Sequence, residues 1–207
     1  MDKNYVQYGC GLSAPNGWKN FDSSPSLIFS KIPIVKTLFK KYVPPFPKNV
    51  KFGNIVNGLP IEDGTAMGVY ASHVLEHLSL MDFKLALNNT YKIMRKDAVF
   101  RLVVPDLEGC IRQYDVDPAQ TRSYQFMRNT HLGIEEKGKG LIGFMRNLIG
   151  QSSHLWMWDF ISLKLELEAV GFREIRRAQF NDSKDLKFKE VEDENRFTNC
   201  LAIECKK

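Results

Sequence analysis

Val6-Gln7-Tyr8-Gly9-Cys10-Gly11-Leu12-Ser13-Ala14-Pro15-Asn16-Gly17-Trp18-Lys19-Asn20-Phe21-Asp22 is the stretch around which the rest of the chain is read. It opens as a β-like run, Tyr5 to Tyr8, and breaks at Gly9 and Gly11. It turns again at Pro15-Asn16-Gly17 and reaches an acid at Asp22. Glycines after a strand let the backbone approach a ligand, because no Cβ stands in the way. An acid at the tip of the next strand can accept hydrogen bonds from ribose hydroxyls. Together these are parts of a nucleoside site at the carboxyl end of a parallel sheet.

Gly9-Cys10-Gly11-Leu12-Ser13-Ala14 also fits the loose G-x-G-x-x-[GA] pattern of dinucleotide folds. Two features argue against that reading. Pro15-Asn16-Gly17 interrupts the place where a phosphate-binding helix would begin. The acid expected about 20 residues further on is missing, since no Asp or Glu lies between Asp22 and Glu62.

The chain has 207 residues and a net charge of +5, enough length for one domain with a sizeable core or one domain plus an insertion. The polar start enters the first strand at once, which argues against a cleavable signal. No apolar run reaches the roughly 18 residues that span a bilayer. The four cysteines, Cys10, Cys110, Cys200 and Cys205, form no C-x-x-C pair. They read as reduced thiols, which places the chain in the cytoplasm as an expectation. The modest positive charge permits an anionic partner. No aromatic-plus-basic platform argues for nucleic acid.

Ser24-Pro25-Ser26 could cap a helix carrying Leu27, Ile28, Ile32, Ile34, Val35, Leu38 and Phe39, with lysines at 31, 36, 40 and 41. Pro33 weakens it and Pro44-Pro45-Phe46-Pro47 ends it. This basic segment, about 24–48, reads as a lid or insertion, with peripheral membrane contact as the other reading. Val50–Val56 and Met67–Ala71 read as strands. Asp82–Arg95 reads as a helix with Phe83, Ala86, Leu87, Tyr91 and Met94 on one face. Val99–Val104 is a further strand, stopped by Pro105-Asp106. Strand, helix, strand at this spacing implies parallel strands.

Leu107–Tyr114 reads as a helix, and about 115–153, with five glycines between Gly133 and Gly150, as a second lid or insertion. Phe160, Leu163, Leu167 and Val170 mark a helix that Gly171 ends. Phe172–Phe180 and Phe197–Cys205 read as strands separated by a charged loop or short helix. The spacing predicts an antiparallel hairpin at one sheet edge.

This ordered set resembles the class I S-adenosylmethionine-dependent methyltransferases, most closely small members with a shortened N-terminus (methyltransferase type 11-like). The marks are Gly9-Cys10-Gly11, Gly17-Trp18-x-Asn20-x-Asp22, Gly58-Leu59-Pro60 with Asp63-Gly64, and Val69-Tyr70-Ala71-Ser72-His73-Val74-Leu75-Glu76-His77-Leu78. Arg101-Leu102-Val103-Val104-Pro105-Asp106-Leu107, His154 with Trp156-Met157, and Ala169-Val170-Gly171-Phe172 complete them. The resemblance covers nearly the whole chain. It implies a single α/β domain over 1–207 with a Rossmann-like, mostly parallel sheet. An antiparallel C-terminal edge hairpin and helices on both faces complete that fold.

The resemblance implies S-adenosylmethionine as cofactor and S-adenosylhomocysteine as product. It places Tyr8, Gly9, Cys10 and Gly11 at the methionine part, Asn20 and Asp22 at the ribose, and Asn54 and Ile55 at the adenine. Ser72 and His73 would border the transferred methyl. Relatives often carry an aspartate where Asn54 stands. The usual helix after the glycine loop looks replaced by the Ser13–Gly17 turn, and Asp97-Ala98 replaces paired glycines before the fifth strand.

A nitrogen or sulfur acceptor needs no base, whereas a hydroxyl acceptor would want one. His73, Asp106 and His154 are the candidates, each equally able to cap a helix or order a loop. The acceptor is not legible. The lysines from Lys31 to Lys51 and Arg173–Arg177 would suit an anionic small molecule, a lipid head group or a glycan precursor. Two other readings stay open. One is a non-catalytic module of the same fold. The other takes His73-x-x-Glu76-His77 as the H-x-x-E-H motif of zinc hydrolases, with both histidines on one helical face. Oligomeric state is open.

Overall fold

The computed structural model describes residues 4–30, 45–135 and 153–207. The elements in chain order are β1 (Tyr5–Tyr8), β2 (Trp18–Asp22), α1 (Pro25–Ser30), β3 (Val50–Phe52), β4 (Ala66–Ser72), α2 (Leu80–Ile93) and β5 (Met94–Pro105). They continue as α3 (Leu107–Val116), α4 (Arg122–Asn129), α5 (Phe160–Val170), β6 (Arg173–Arg177) and β7 (Cys200–Lys206). One sheet of seven strands runs β3-β2-β1-β4-β5-β7-β6. β1 to β5 are mutually parallel where they pair. β7 runs antiparallel to β5 and to the edge strand β6. The expected sheet, with its C-terminal antiparallel hairpin, is therefore the observed one. Among the described residues no helix is long and apolar enough to cross a membrane.

Local chemistry sets the element ends. The Ser79 hydroxyl accepts from the Asp82 amide at 3.2 Å and starts α2. Phe83, Ala86, Leu87, Thr90 and Ile93 then face the sheet at helical spacing. Asp106 accepts from the Glu108 amide at 3.1 Å and caps α3. Asp159 does the same for α5 through the Ser162 amide at 2.8 Å. Gly171 ends α5 with φ of 109°, the left-handed conformation that the sequence implies.

Strand alternation divides the core in two. Val6, Tyr8, Val69, Ala71, Phe100, Leu102 and Val104 face α2 and α5, with Phe83, Leu87, Leu163 and Leu167 against them. Tyr5, Trp18, Tyr70, Val103 and Ala202 form a second cluster with Phe188 and Val191. Phe188 and Val191 come from the connection between β6 and β7, which holds two 3₁₀ turns, Leu186–Glu190 and Glu194–Arg196. No helix stands between β1 and β2, where the Ser13 amide closes a turn on the Cys10 carbonyl at 3.0 Å. The β6–β7 connection therefore seals the sheet face beside β1 and β4. Gly68 fits this packing, because a Cβ there would lie 2.8 Å from the Tyr5 ring and 3.1 Å from Phe188.

Arg101 of β5 anchors the connection. Its side chain is 1% exposed. Nε donates to Glu192 at 2.5 Å, one terminal nitrogen donates to Asp182 at 3.0 Å and Glu204 at 2.7 Å, and the other donates to the Gln179 carbonyl at 3.0 Å.

Several expectations shift. The strand expected over Val50–Val56 stops at Phe52, and Ile55–Asn57 forms a 3₁₀ turn that the Asn54 side chain caps. β5 begins at Met94, directly from α2, and Asp97 takes φ of 63° at its irregular start. The expected strands Phe172–Phe180 and Phe197–Cys205 narrow to β6 and β7. Of the basic segment 24–48, α1 accounts for 25–30, and residues 31–44 lie outside the described residues. Of the second insertion, α4 is helical, and 136–152 lie outside the described residues.

Candidate functional site

In open α/β sheets ligands bind beyond the carboxyl ends of the strands, where the strand order reverses. Here that point lies between β1 and β4, since β1 pairs with both β2 and β4. The loop after β1 shows how the position is built. Gly9 and Gly11 both have positive φ, 63° and 54°. A Cβ on Gly9 would lie 2.1 Å from Val74 Cγ2, so the loop presses against the exit of β4.

Asp22, at the end of β2 and 6% exposed, holds this loop. One carboxylate oxygen accepts from the Gly11 amide at 2.9 Å and the other from the Ser24 amide at 2.8 Å. Each oxygen keeps lone-pair capacity for a further donor. The Gln7 amide donates to the Ser13 carbonyl at 3.2 Å, and its buried carbonyl oxygen has no partner among the described residues. Gln7, Gly9, Cys10, Ser13, Tyr70, Ser72, Val191, Asp193 and Arg196 line a recess of about 40 Å³. A larger open groove of about 410 Å³ is lined by Asn4, Lys19, Ile61, Thr65 and Arg95. It sits at the opposite, amino-terminal edge of the sheet.

The ten residues expected at a cofactor fall into two groups. Gly9, Gly11, Asp22, Ser72 and His73 gather at the ends of β1, β2 and β4, with Asn54 just past β3. Asn54 Oδ1 accepts from the Val56 amide at 2.9 Å and still has a free lone pair. The others turn their side chains elsewhere. Tyr8 is in the α2-side core, where its hydroxyl meets Thr90 at 3.2 Å. Cys10 packs with Leu27 and Val50, and burial first, then Asp22, pushes its thiol up to about 12. Ile55 is buried in the main core. Asn20 donates to the Pro15 and Trp18 carbonyls, both at 3.1 Å, and so braces the turn before β2. Of these four, only Cys10 lines the recess.

Arg196 is a residue the sequence reading missed. It lines the recess, donates to the Ser72 carbonyl at 2.9 Å, and offers its own carbonyl to His73 Nε2 at 3.0 Å. It sits in a charged stretch with no apolar period to mark it.

The three catalytic candidates do not assemble into one device. Asp106 caps α3 and meets Arg112 at 3.3 Å. His73 has φ of 54°, and its two ring nitrogens face the Arg196 carbonyl and Glu76 Oε1 at 3.3 Å. Burial alone would lower its pKa, but Cys200, Glu76 and the Arg196 carbonyl outweigh burial and raise it to about 10. His154 is buried, which lowers its pKa. It lies 4.0 Å from Glu76 Oε1, and its segment is fixed by Leu155 and Trp156 amides on the Glu76 carbonyl.

Two further expectations are corrected. His73-x-x-Glu76-His77 is not one helix: His73 is left-handed and only Leu75–His77 forms a 3₁₀ turn. The shared helical face that a zinc-hydrolase motif requires is therefore not formed. The basic surface expected at Arg173–Arg177 is also neutralised. Arg173 pairs with Asp97, Arg176 with Asp182 and Glu204, and Arg177 with Glu108.

No protein-family profile and no curated protein matches the chain. Solved structures do. A SAM-dependent methyltransferase from Archaeoglobus fulgidus superposes with a TM-score of 0.56 at 16% identity, covering 99% of this chain and 86% of that one. A SAM-dependent methyltransferase from Thermotoga maritima gives 0.53 at 15% identity, covering 99% and 82%. PigF, solved with SAH, gives 0.50 at 13% identity, covering 99% and 56%. Together with the strand order and the antiparallel C-terminal hairpin, these similarities mean that the chain has the class I S-adenosylmethionine-dependent methyltransferase fold.

Proposed function

We propose that this chain binds S-adenosylmethionine at the Gly9–Gly11 loop and transfers its methyl group to an acceptor. The observation that carries the reading is the glycine loop clamped by Asp22 at the point where the strand order reverses. When bound, the cofactor would supply an electrophilic methyl on a sulfonium. The backbone of Gly9 and Gly11 would hold the methionine part, the remaining lone pairs of Asp22 the ribose hydroxyls, and Asn54 the adenine. Arg196 is the cation at the recess and would face the methionine carboxylate. Holding donor and acceptor in line is the main contribution, up to roughly 7–11 kcal/mol of the barrier.

A recess of about 40 Å³ cannot enclose such a cofactor. Binding therefore requires the Val191–Arg196 turn to move outward, or the cofactor to lie across the loop's open side. The acceptor is taken to be an anionic small molecule, lipid head group or glycan precursor, on the sequence charge of residues 31–51 alone.

Calorimetric titration with S-adenosylhomocysteine tests the reading. The expected result is 1:1 binding by the wild type and a loss of at least about 10-fold in Asp22→Asn, where one oxygen becomes an amide that cannot accept. Circular dichroism of the variant separates a lost contact from a lost fold. Binding unchanged in a folded Asp22→Asn protein would remove Asp22 from the site. Binding without turnover of any acceptor would make the chain a non-catalytic module.

A further inference from the structure

The four histidines of the chain, His73, His77, His131 and His154, all stand near one buried carboxylate or near each other. Glu76 is fully buried; His73 Nδ1 stands 3.3 Å from its Oε1, and neither carboxylate oxygen has an aligned hydrogen-bond donor among the described residues. A buried carboxylate needs a compensating cation, either a charged side chain or a metal ion. His77 Nε2 lies 3.9 Å and His154 Nε2 4.0 Å from Glu76 Oε1. The donor atoms of Glu76, His77 and His154 all lie within 4.8 Å of one another. Donors that share a tetrahedral zinc ion at about 2.0–2.2 Å sit roughly 3.3–3.5 Å apart, so an inward shift of well under 1 Å at each would close the set.

We infer that Glu76, His77 and His154 form a site for a divalent transition metal of the zinc type. The donor set, two imidazoles and one carboxylate, matches that preference and leaves a fourth position for water or a ligand atom. The surroundings are built for it. His77 Nδ1 faces the Ser153 carbonyl at 3.4 Å. A proton donated there would leave Nε2 free to ligate, the usual way a backbone carbonyl orients a metal-binding histidine. The His131 carbonyl accepts from the His154 amide at 3.2 Å, and the Glu76 carbonyl accepts from the Leu155 amide at 2.8 Å. These bonds bring the segment after residue 152 against the exit of β4. An ion would tie the same two segments together. His73 Nδ1 also lies 3.3 Å from Glu76 Oε1, but His73 is not among the donors that all come within 4.8 Å of one another.

The site lies outside the glycine-loop recess and does not depend on the methyl-transfer reading. The test is a titration of tag-free, chelator-stripped protein with Co²⁺ and Zn²⁺. Cobalt is followed by its ligand-field absorption and zinc by calorimetry. The expected result is one ion per chain with a tetrahedral cobalt spectrum. Affinity should fall by at least about 100-fold in His77→Gln and in His154→Gln, and by clearly less, about 10-fold, in His73→Gln, which meets only the ligand Glu76. The His77 side chain is 26% exposed, so His77→Gln keeps the test valid if a substitution at buried His154 or Glu76 fails to fold. No saturable binding by the wild type would leave Glu76 paired only with imidazolium and overturn the proposal. Equal loss in His73→Gln and His77→Gln would overturn the ligand set in favour of the sequence-adjacent pair.

Discussion

Replacing Arg101 with methionine is expected to remove about 3–5 kcal/mol of stability, the cost of stranding buried charges when one partner of an ion pair is deleted. Arg101 is the hub for Glu192, Asp182 and Glu204, and the Glu192 side chain is fully buried. Arg176 also reaches Asp182 and Glu204, but it makes no contact of this kind with Glu192. The variant therefore leaves the buried Glu192 carboxylate with the Asn181 amide, at 2.6 Å, but with no cation among the described residues. A domain holds about 5–15 kcal/mol in total, so the urea midpoint should drop by a large fraction with little change in slope. Adding Glu192→Gln should recover at least about 1 kcal/mol, because it removes the stranded charge. The pH dependence carries the same sign test. Burial is the leading influence on all three acids. Hydrogen bonds overcome it for Asp182, from Arg176, the Gln179 backbone and Arg101, and for Glu204, from Ser183, Arg101 and Arg176, so both pKa values are lowered, whereas Glu192 is raised. Groups with a lowered folded pKa stabilise above the ordinary carboxylate range and lose that contribution as pH falls through the folded value. The wild type should thus weaken as pH falls below the ordinary carboxylate range, whereas the deficit of Arg101→Met should already shrink at higher pH, above that range, as Glu192 protonates. A deficit independent of pH, and unaffected by Glu192→Gln, would mean that Arg101 stabilises by packing alone.

Gly9→Ala is the second large effect, expected at about 2–4 kcal/mol. Part of it is backbone strain, roughly 1–2 kcal/mol for a residue with Cβ in the left-handed region. The rest is overpacking, about 1–3 kcal/mol, from a Cβ 2.1 Å from Val74 Cγ2. Gly11→Ala is the internal control. Its φ is similar at 54°, but nothing lies within 4 Å of the added Cβ, so only the strain remains. Val74→Ala should rescue Gly9→Ala in part, with a coupling of about 1 kcal/mol or more, and should not rescue Gly11→Ala. Equal destabilisation by the two glycine substitutions in a chemical denaturation series would contradict the close approach of the loop to the β4 exit.

These two sites differ in how visible they were. Gly9, Gly11 and Asp22 lie within one short stretch, and local chemistry marks each of them. The same holds for the Asp106 cap and the Gly171 terminus, whose residue types dictate their geometry. Arg101 meets partners far downstream in sequence, in a charged stretch with no hydrophobic period. Phe188 and Val191 alone mark that stretch as core, and 3₁₀ turns offer no long stripe to read. The sequence therefore showed that a helix was missing after β1 but not what fills its place. The histidines follow the same rule. His73 and His77 stood out because they are four residues apart, yet the partner that the fold brings to Glu76 and His77 is His154, distant in sequence. The arginines of β6 looked like a ligand surface because their acids, Asp97, Glu108, Asp182 and Glu204, are dispersed along the chain.

Hydrogen–deuterium exchange with and without saturating S-adenosylhomocysteine tests most directly whether the end of β1 is the cofactor site. Protection is expected at residues 9–13, 22–24, 54–57 and 72–74, the segments that converge at the ends of β1 to β4. Faster exchange over 191–197 would accompany outward movement of the turn that now closes the recess. Saturable binding with protection confined to other segments, such as the groove near Lys19 and Arg95 at the opposite edge, would contradict that placement.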